Sequence, residues 1–463
     1  MFPLLAIDWG FVLVTVLNAG LVFFVALNMA GMLTWVERKQ GAVMANRIGA
    51  NRAYIPVPTN KKDADGKMIW SKRFTLIGMF HTIADGGKMI IKEDFDPPFV
   101  DRFVYNAAPW FAIIPAFLVF AVVPFGGAFQ PGHVFDGSIM AWLADSIGFV
   151  DVAREWTVST FGDRVMRLQV ADLDMGILFV FAVGSVGVFA AALAGWSSNN
   201  KFSLLGALRA SAQMISYEVF VGISILAFFV LHGTLNFAEV VDNQAGTKGI
   251  LFWGVVAQLP MLFVFLTGLM AENKRVPFDM PESESELVAG YMTEYSAMKM
   301  GLFMMSEFVE VAVIGALVTV LFLGGPFLPG MGFTDIAGQP VLSSFLGISL
   351  SPLLAAGLMF VVFWSKVIFV CWFQILIRWT VPKFRYDQIM YLGWRIMLPL
   401  CMVNLFVTAG IVGFGSEFGW SPYMIAGVAG IGSLLAFGIS IAIGTSGGRG
   451  SYQHSQLPEG RSS

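Results

Sequence analysis

The chain has 463 residues, 57% of them hydrophobic and only 13% charged, about half the charged share usual in soluble proteins. With a mean hydropathy of +0.73, this composition excludes an ordinary soluble domain and predicts a polytopic membrane protein. The net charge of −3 gives no reason to expect nucleic acid as a partner. The two cysteines (Cys371, Cys401) and four scattered histidines (His81, His133, His232, His454) supply neither a four-thiolate cluster nor a bis-histidine haem. No metal, flavin or iron–sulfur cluster is expected in this chain.

Nine apolar runs follow one another, at roughly 9–35, 104–126, 173–195, 211–232, 250–270, 298–323, 353–377, 391–414 and 422–444. Each is near or above the ~20 residues that cross ~30 Å of hydrocarbon. At that depth runs of this length mean helices, so the expected fold is an all-α bundle of about nine transmembrane helices. They form a single transmembrane domain over 1–444. The first run is too long for a signal-peptide core and lacks a basic flank, so it reads as a retained span. The Gly/Ser-rich tail 445–463 is expected to be disordered.

The loop after the first run, 36–103, collects most of the basic residues, and Arg378, Lys383 and Arg385 follow the seventh. Placing these inside puts the N-terminus outside and, with nine spans, the C-terminus inside. Within that first loop, 56–74 reads as a polar insertion, with a turn at Asp63 to Gly66. Residues 76–92 are too short and too polar to span. Leu76, Ile77, Phe80, Ile83, Ala84, Gly87, Ile90 and Ile91 recur at helical spacing, with His81, Asp85, Lys88 and Lys92 on the other face. This is an amphipathic surface helix. It serves either as a brace at the membrane surface or as the wall of a cavity with Asp85 or His81 facing in. Gly86 and Gly87 weaken it and would admit a close neighbour.

Glu218, Glu307, Glu310 and Lys366 lie well inside apolar runs. Charging one such group in mid-bilayer costs at least ~2.5–3.5 kcal/mol on insertion scales, so they should face the bundle interior or a hydrated path. Glu307 and Glu310 are three apart and share a helix face. Two close carboxylates do not both ionise readily, which suits groups that take up and release protons. The plainer alternative is that these residues pair with one another or with backbone and only fix the packing.

The loop 271–297 contains AENKRVPFDMPESESELVAGYMTEYS, with six carboxylates (Glu272, Asp279, Glu282, Glu284, Glu286, Glu294) against Lys274 and Arg275. A loop on the inner side normally favours cations. Pro277 and Pro281 predict an irregular turn, followed by a helix whose acidic start suits the macrodipole. On such a helix Glu282 and Glu286 would share one face and Glu284 would point nearly opposite. The acidity exceeds what capping needs, which suggests proton handling or docking.

Four segments in order, WVERKQGAVMANRIGANRA, IADGGKMIIKEDFDPPFVDRF, AENKRVPFDMPESESELVAGYMTEYSAMKMGLF and RWTVPKFRYDQIMYLGWRIMLPL, together with ISYEV, closely resemble one membrane-protein family. It is the H subunit family of bacterial NADH:quinone oxidoreductase (respiratory complex I), counterpart of the mitochondrial ND-one protein. The likeness runs from about residue 9 to 414. It implies a non-redox-centre subunit that forms the quinone chamber and the start of a carboxylate path coupling quinone reduction to proton pumping. Quinone is then a substrate. The implied partners are the iron–sulfur and quinone-site subunits of the peripheral arm, small membrane subunits, antiporter-like subunits and the lipid bilayer. The implied location is the bacterial inner membrane, N-terminus periplasmic.

Carried over position by position, the resemblance assigns Glu37, Arg38, Arg47, Arg52, Asp85, Arg275, Phe278 and Asp279 to the quinone chamber. It assigns Glu218, Glu282, Glu284, Glu286 and Glu307 to proton coupling, and leaves Glu310 and Lys366 unplaced. A typical member has eight spans. The 56–74 insertion, the outer segment 127–170, the run at 422–444 and Lys274 in place of an expected Asn are departures. Rival readings are the membrane anchor of a hydrogenase- or ferredoxin-linked complex, a stand-alone secondary transporter, which inverted repeats and broken helices would favour, although the sequence shows no repeat, and a purely structural anchor.

Overall fold

The computed structural model describes residues 9–51, 53–57, 72–130, 158, 165–245, 252–280, 287–329, 331–336, 339–345 and 348–447. Its helices are α1 (Trp9–Met44), α2 (Phe80–Ile91), α3 (Arg102–Val119), α4 (Gly176–Gly184), α5 (Val186–Ser197), α6 (Lys201–His232), α7 (Phe237–Gln244), α8 (Gly254–Ala257), α9 (Leu259–Glu272), α10 (Ala297–Phe322), α11 (Pro352–Thr380), α12 (Tyr386–Tyr391), α13 (Leu398–Glu417) and α14 (Pro422–Gly447). A π-helical turn, Leu392–Met397, joins α12 to α13.

Among the described residues, eight helical stretches are long and apolar enough to cross a membrane. They account for every expected span except the fifth. There, α8 and α9 are separated at Gln258 (φ −142°, ψ 43°). Pro260 at the start of α9 cannot donate to a preceding turn, so it opens a new helix rather than continuing an old one. The side chain at the break is satisfied laterally. Gln258 donates to Thr408 Oγ1 at 3.0 Å and accepts from Asn404 at 2.8 Å.

The helix α10 is the axis of the bundle. In its most apolar stretch 89% is buried, against 22% for α1. Helices come close where small residues permit it, as expected where no aqueous hydrophobic drive acts between them. A Cβ on Gly268 of α9 would lie 2.2 Å from Val221 of α6. The run at 422–444 is a true helix of the bundle, since Ala426 and Ala429 of α14 are fully buried.

The fold is the expected helical bundle, with one small sheet beside it. Strands β3 (Ala128–Phe129), β4 (Met166–Arg167), β5 (Met331–Ile336), β6 (Gln339–Phe345) and β7 (Ile348–Ser349) form a small sheet in the order β4-β3-β6-β5, with β7 also on β6. It joins the outer segment to the α10–α11 connection at the end of the bundle opposite the first loop. The strands were hidden because each is short and the pairing is remote. The polar insertion opens and closes as a hairpin, β1 (Ile55–Val57) on β2 (Lys72–Phe74). Its turn at 63–66 lies outside the described residues, as does the tail after 447.

Candidate functional site: a buried ion cluster and carboxylate row

Where α1 leaves the apolar run, the chain meets the turn after α9 and the end of α11. Glu37 receives a hydrogen bond from Arg275 Nη1 at 2.9 Å on one oxygen, and Arg378 Nη1 lies 2.5 Å from the other. Arg275 Nε lies 3.9 Å from Glu307 Oε2, an ion pair too long for a hydrogen bond. The guanidinium also sits over the Phe308 ring, 4.0 Å from its centroid. One arginine thus stands between a carboxylate at the end of α1 and a carboxylate inside the bundle.

The turn that delivers Arg275 is irregular, as the prolines predict. Lys274 has φ +57°, and Gln213 of α6 donates to the carbonyls of both Ala271 and Phe278 at 2.7 Å. Phe278 is only 3% exposed, its ring between Tyr217 and Phe384. Asp279 pairs with Lys383 at 3.5 Å. On the first-loop side, Arg38 pairs with Asp85 at 2.6 Å and His81 Nε2 accepts from the Ala53 amide at 3.1 Å. The surface helix α2 therefore turns His81 and Asp85 toward the protein. Ile83, Ile90 and Ile91, more than 70% exposed, face away. A Cβ on Gly86 or Gly87 would meet nothing within 4 Å, so none of the described residues makes the close approach they would allow.

From Glu307 the carboxylates continue into the bundle. Asn273, 2% exposed, donates to the Glu307 carbonyl at 3.2 Å. Beyond it lies a cavity of about 70 Å³ lined by Glu272, Asn273, Glu310, Gly184, Met214 and apolar side chains of α3, α4 and α10. Glu218 and Glu310 both act on Glu272 electrostatically. Glu218 is hydrogen-bonded to Ser185 Oγ, the residue at which the α4–α5 helix is interrupted. The sequence places one Glu pair on a face; the fold assembles Glu37, Glu307, Glu310, Glu272 and Glu218 around α10 and α9.

The three described acids of the central loop go to three different places. Glu272 enters the bundle, Asp279 meets Lys383, and Glu294 accepts from Asn200 at 2.7 Å. Beside Glu294, Tyr295 stacks on Tyr105 with ring centroids 4.2 Å apart, and burial pushes its phenol up, so it stays a neutral donor. Glu282, Glu284 and Glu286, and Arg52 of the first loop, lie outside the described residues. Arg47 is exposed in the turn after α1.

Sequence reasoning named Glu272 and Arg378 only among the loop charges and assigned neither of them, nor Asn273, to the site. The first two sit where an apolar run ends, and that position was the available signal. Lys366 finds its partner in backbone rather than in an acid. It reaches the carbonyls of Leu323 (2.6 Å), Gly325 (3.0 Å) and Phe327, and lies over Trp253. It caps the end of α10, where the helix dipole is negative.

A model of the NADH dehydrogenase family matches residues 17–409. The chain belongs to that family. It is 36% identical to an NADH-quinone oxidoreductase H subunit of Koribacter versatilis over 86% of this chain and 97% of the relative. It is 34% identical to the H subunit of Flavobacterium johnsoniae over 84% and 93%, and 36% identical to an H subunit of Geobacter metallireducens over 85% and 94%. As a family member of the H type, it is a multi-pass membrane subunit of the NADH-quinone oxidoreductase enzyme. The family match takes in all of the ion cluster and carboxylate row and ends before α14, which begins at Pro422.

Proposed function

We propose that this chain walls the quinone chamber and carries the first carboxylates of the path that couples quinone reduction to proton movement. The observation that supports this best is Arg275, held between Glu37 and Glu307. Quinone entering beside Glu37, Arg38 and Asp85 receives two electrons from a cluster on a neighbouring peripheral-arm protein. Negative charge developing on its headgroup competes for Arg275 and Arg378. A guanidinium drawn toward the quinone is drawn from Glu307, and the charge balance inside the bundle changes. Glu282, Glu284 and Glu286 respond in the connecting loop, and Glu307 and Glu218 pass the change toward small membrane and antiporter-like subunits. Such linked protonation is a property of the set, not of one residue.

The basic first loop, α2 and the Lys383–Asp279 pair share one end of the bundle. The charge rule puts that end on the cytoplasmic side of the bacterial inner membrane and the N-terminus in the periplasm. The deciding experiment is Glu307→Gln in the assembled complex, with quinone reduction and proton translocation measured together. Translocation falls more than electron transfer if the row couples them. Unchanged translocation removes Glu307 from the path.

A further inference from the structure

Glu310 has no part in the reading above, yet it faces the same cavity as Glu272. The cavity of about 70 Å³ has room for a few waters. Among the described residues its other lining side chains are apolar apart from Asn273; Lys274 lies outside the lining but attracts both carboxylates, and Arg275 attracts Glu310. Among the described residues, Glu272 Oε2 and Asn273 Oδ1 are buried there without a hydrogen-bond partner. Buried polar atoms of this kind are rare unless water or a working group meets them. Asn273, only 2% exposed, also lines the neighbouring small cavity with Arg275 and Arg378.

We propose that Glu310 and Glu272 share a proton across this cavity, which makes Glu310 a relay residue between Glu307 and the Glu272–Glu218 end of the row. Two bare carboxylates facing one apolar cavity would repel strongly, and a shared proton with bridging water removes that repulsion. Glu310 stands three residues from Glu307 on one face of α10, so the two occupy successive steps along the helix. In the transfer, one carboxyl O–H breaks, a proton passes through water, and an O–H forms on the other carboxylate. No electrons move and no bond to carbon changes. Asn273, between the two cavities, orients the water with its unpartnered oxygen.

The proposal rests on the carboxylate row being the coupling path. It is tested in the whole complex by redox-induced infrared difference spectroscopy and by the ratio of protons translocated to quinone reduced. Glu310→Gln keeps the shape and removes the proton site. It is expected to lose a protonated-carboxyl C=O signal and to lower the proton ratio. Glu310→Asp is expected to keep the signal at a shifted position, and decides the matter if the Gln variant does not assemble. An unchanged spectrum and ratio in Glu310→Gln, or an unshifted signal in Glu310→Asp, overturns the proposal. If Glu307→Gln still lowers the ratio in that case, the coupling path stands without Glu310. If Glu307→Gln is also silent, the path itself falls.

Discussion

Arg275 donates to Glu37 across 238 residues of sequence, at 2.9 Å, with both side chains largely buried. This contact closes the first loop onto the central loop and sets the mouth of the row. Removing one partner of a buried pair leaves the other charge uncompensated, at a cost of roughly 3–5 kcal/mol. Arg275→Ala should therefore lower thermal stability by about that much and depress quinone reduction. Arg275→Lys should recover part of the stability but not the double contact, because a point charge cannot serve Glu37 and Glu307 as a fork does. Thermal unfolding of the purified complex, beside its quinone reductase rate, checks both variants.

Arg167 forms a two-pronged pair with Asp242 and also donates to the Ala238 carbonyl at 3.0 Å. Burial pushes the Asp242 carboxyl up from its ordinary 3.8, and Arg167 partly offsets this. A carboxyl raised in the folded state binds its proton more tightly there than when unfolded. Its contribution to stability is therefore complete below the ordinary value and is lost as pH rises toward the folded one. Arg167→Met removes the offset and widens that window. Its stability deficit should be large near neutrality and shrink as the pH is lowered. A deficit independent of pH would contradict this account.

Lys366 satisfies three carbonyls at the end of α10. Lys366→Met leaves them buried and unmet, at about 1–3 kcal/mol. The melting temperature should drop while protons moved per quinone stay the same. A changed proton ratio would give Lys366 a place in the path.

Gly430 of α14 lies against backbone. A Cβ there would be 2.8 Å from the Val256 carbonyl, whereas one on Gly427 would meet nothing within 4 Å. Backbone cannot move aside as a flexible side chain can, so Gly430→Leu should cost about 1–3 kcal/mol through overpacking. Gly427→Leu should be nearly silent. Proteolysis of the C-terminal tail in membranes, compared between the two variants, reports whether α14 has left its groove.

Much was legible without coordinates. The apolar runs announce the spanning helices, because hydrocarbon forces every backbone group to be satisfied within its own segment. Pro277 and its neighbours announce the irregular turn, and the Glu307–Glu310 spacing announces a shared face. The fifth span was less legible. Its apolar run is continuous, and only Gln258 beside Pro260 hints that the helix is broken.

Composition and local pattern therefore established a helical membrane protein, its family motifs and the presence of costly buried charges, since these follow from interactions over a few residues. Which charge meets which was decided by the packing of α10 against its neighbours. Glu37 finds Arg378, Glu272 and Glu310 come to line one cavity, and Lys366 finds three carbonyls, all between residues remote in sequence. In a low-dielectric interior those distances govern whether a charge is paired, shared or left to a proton, and no spacing along the chain encodes them.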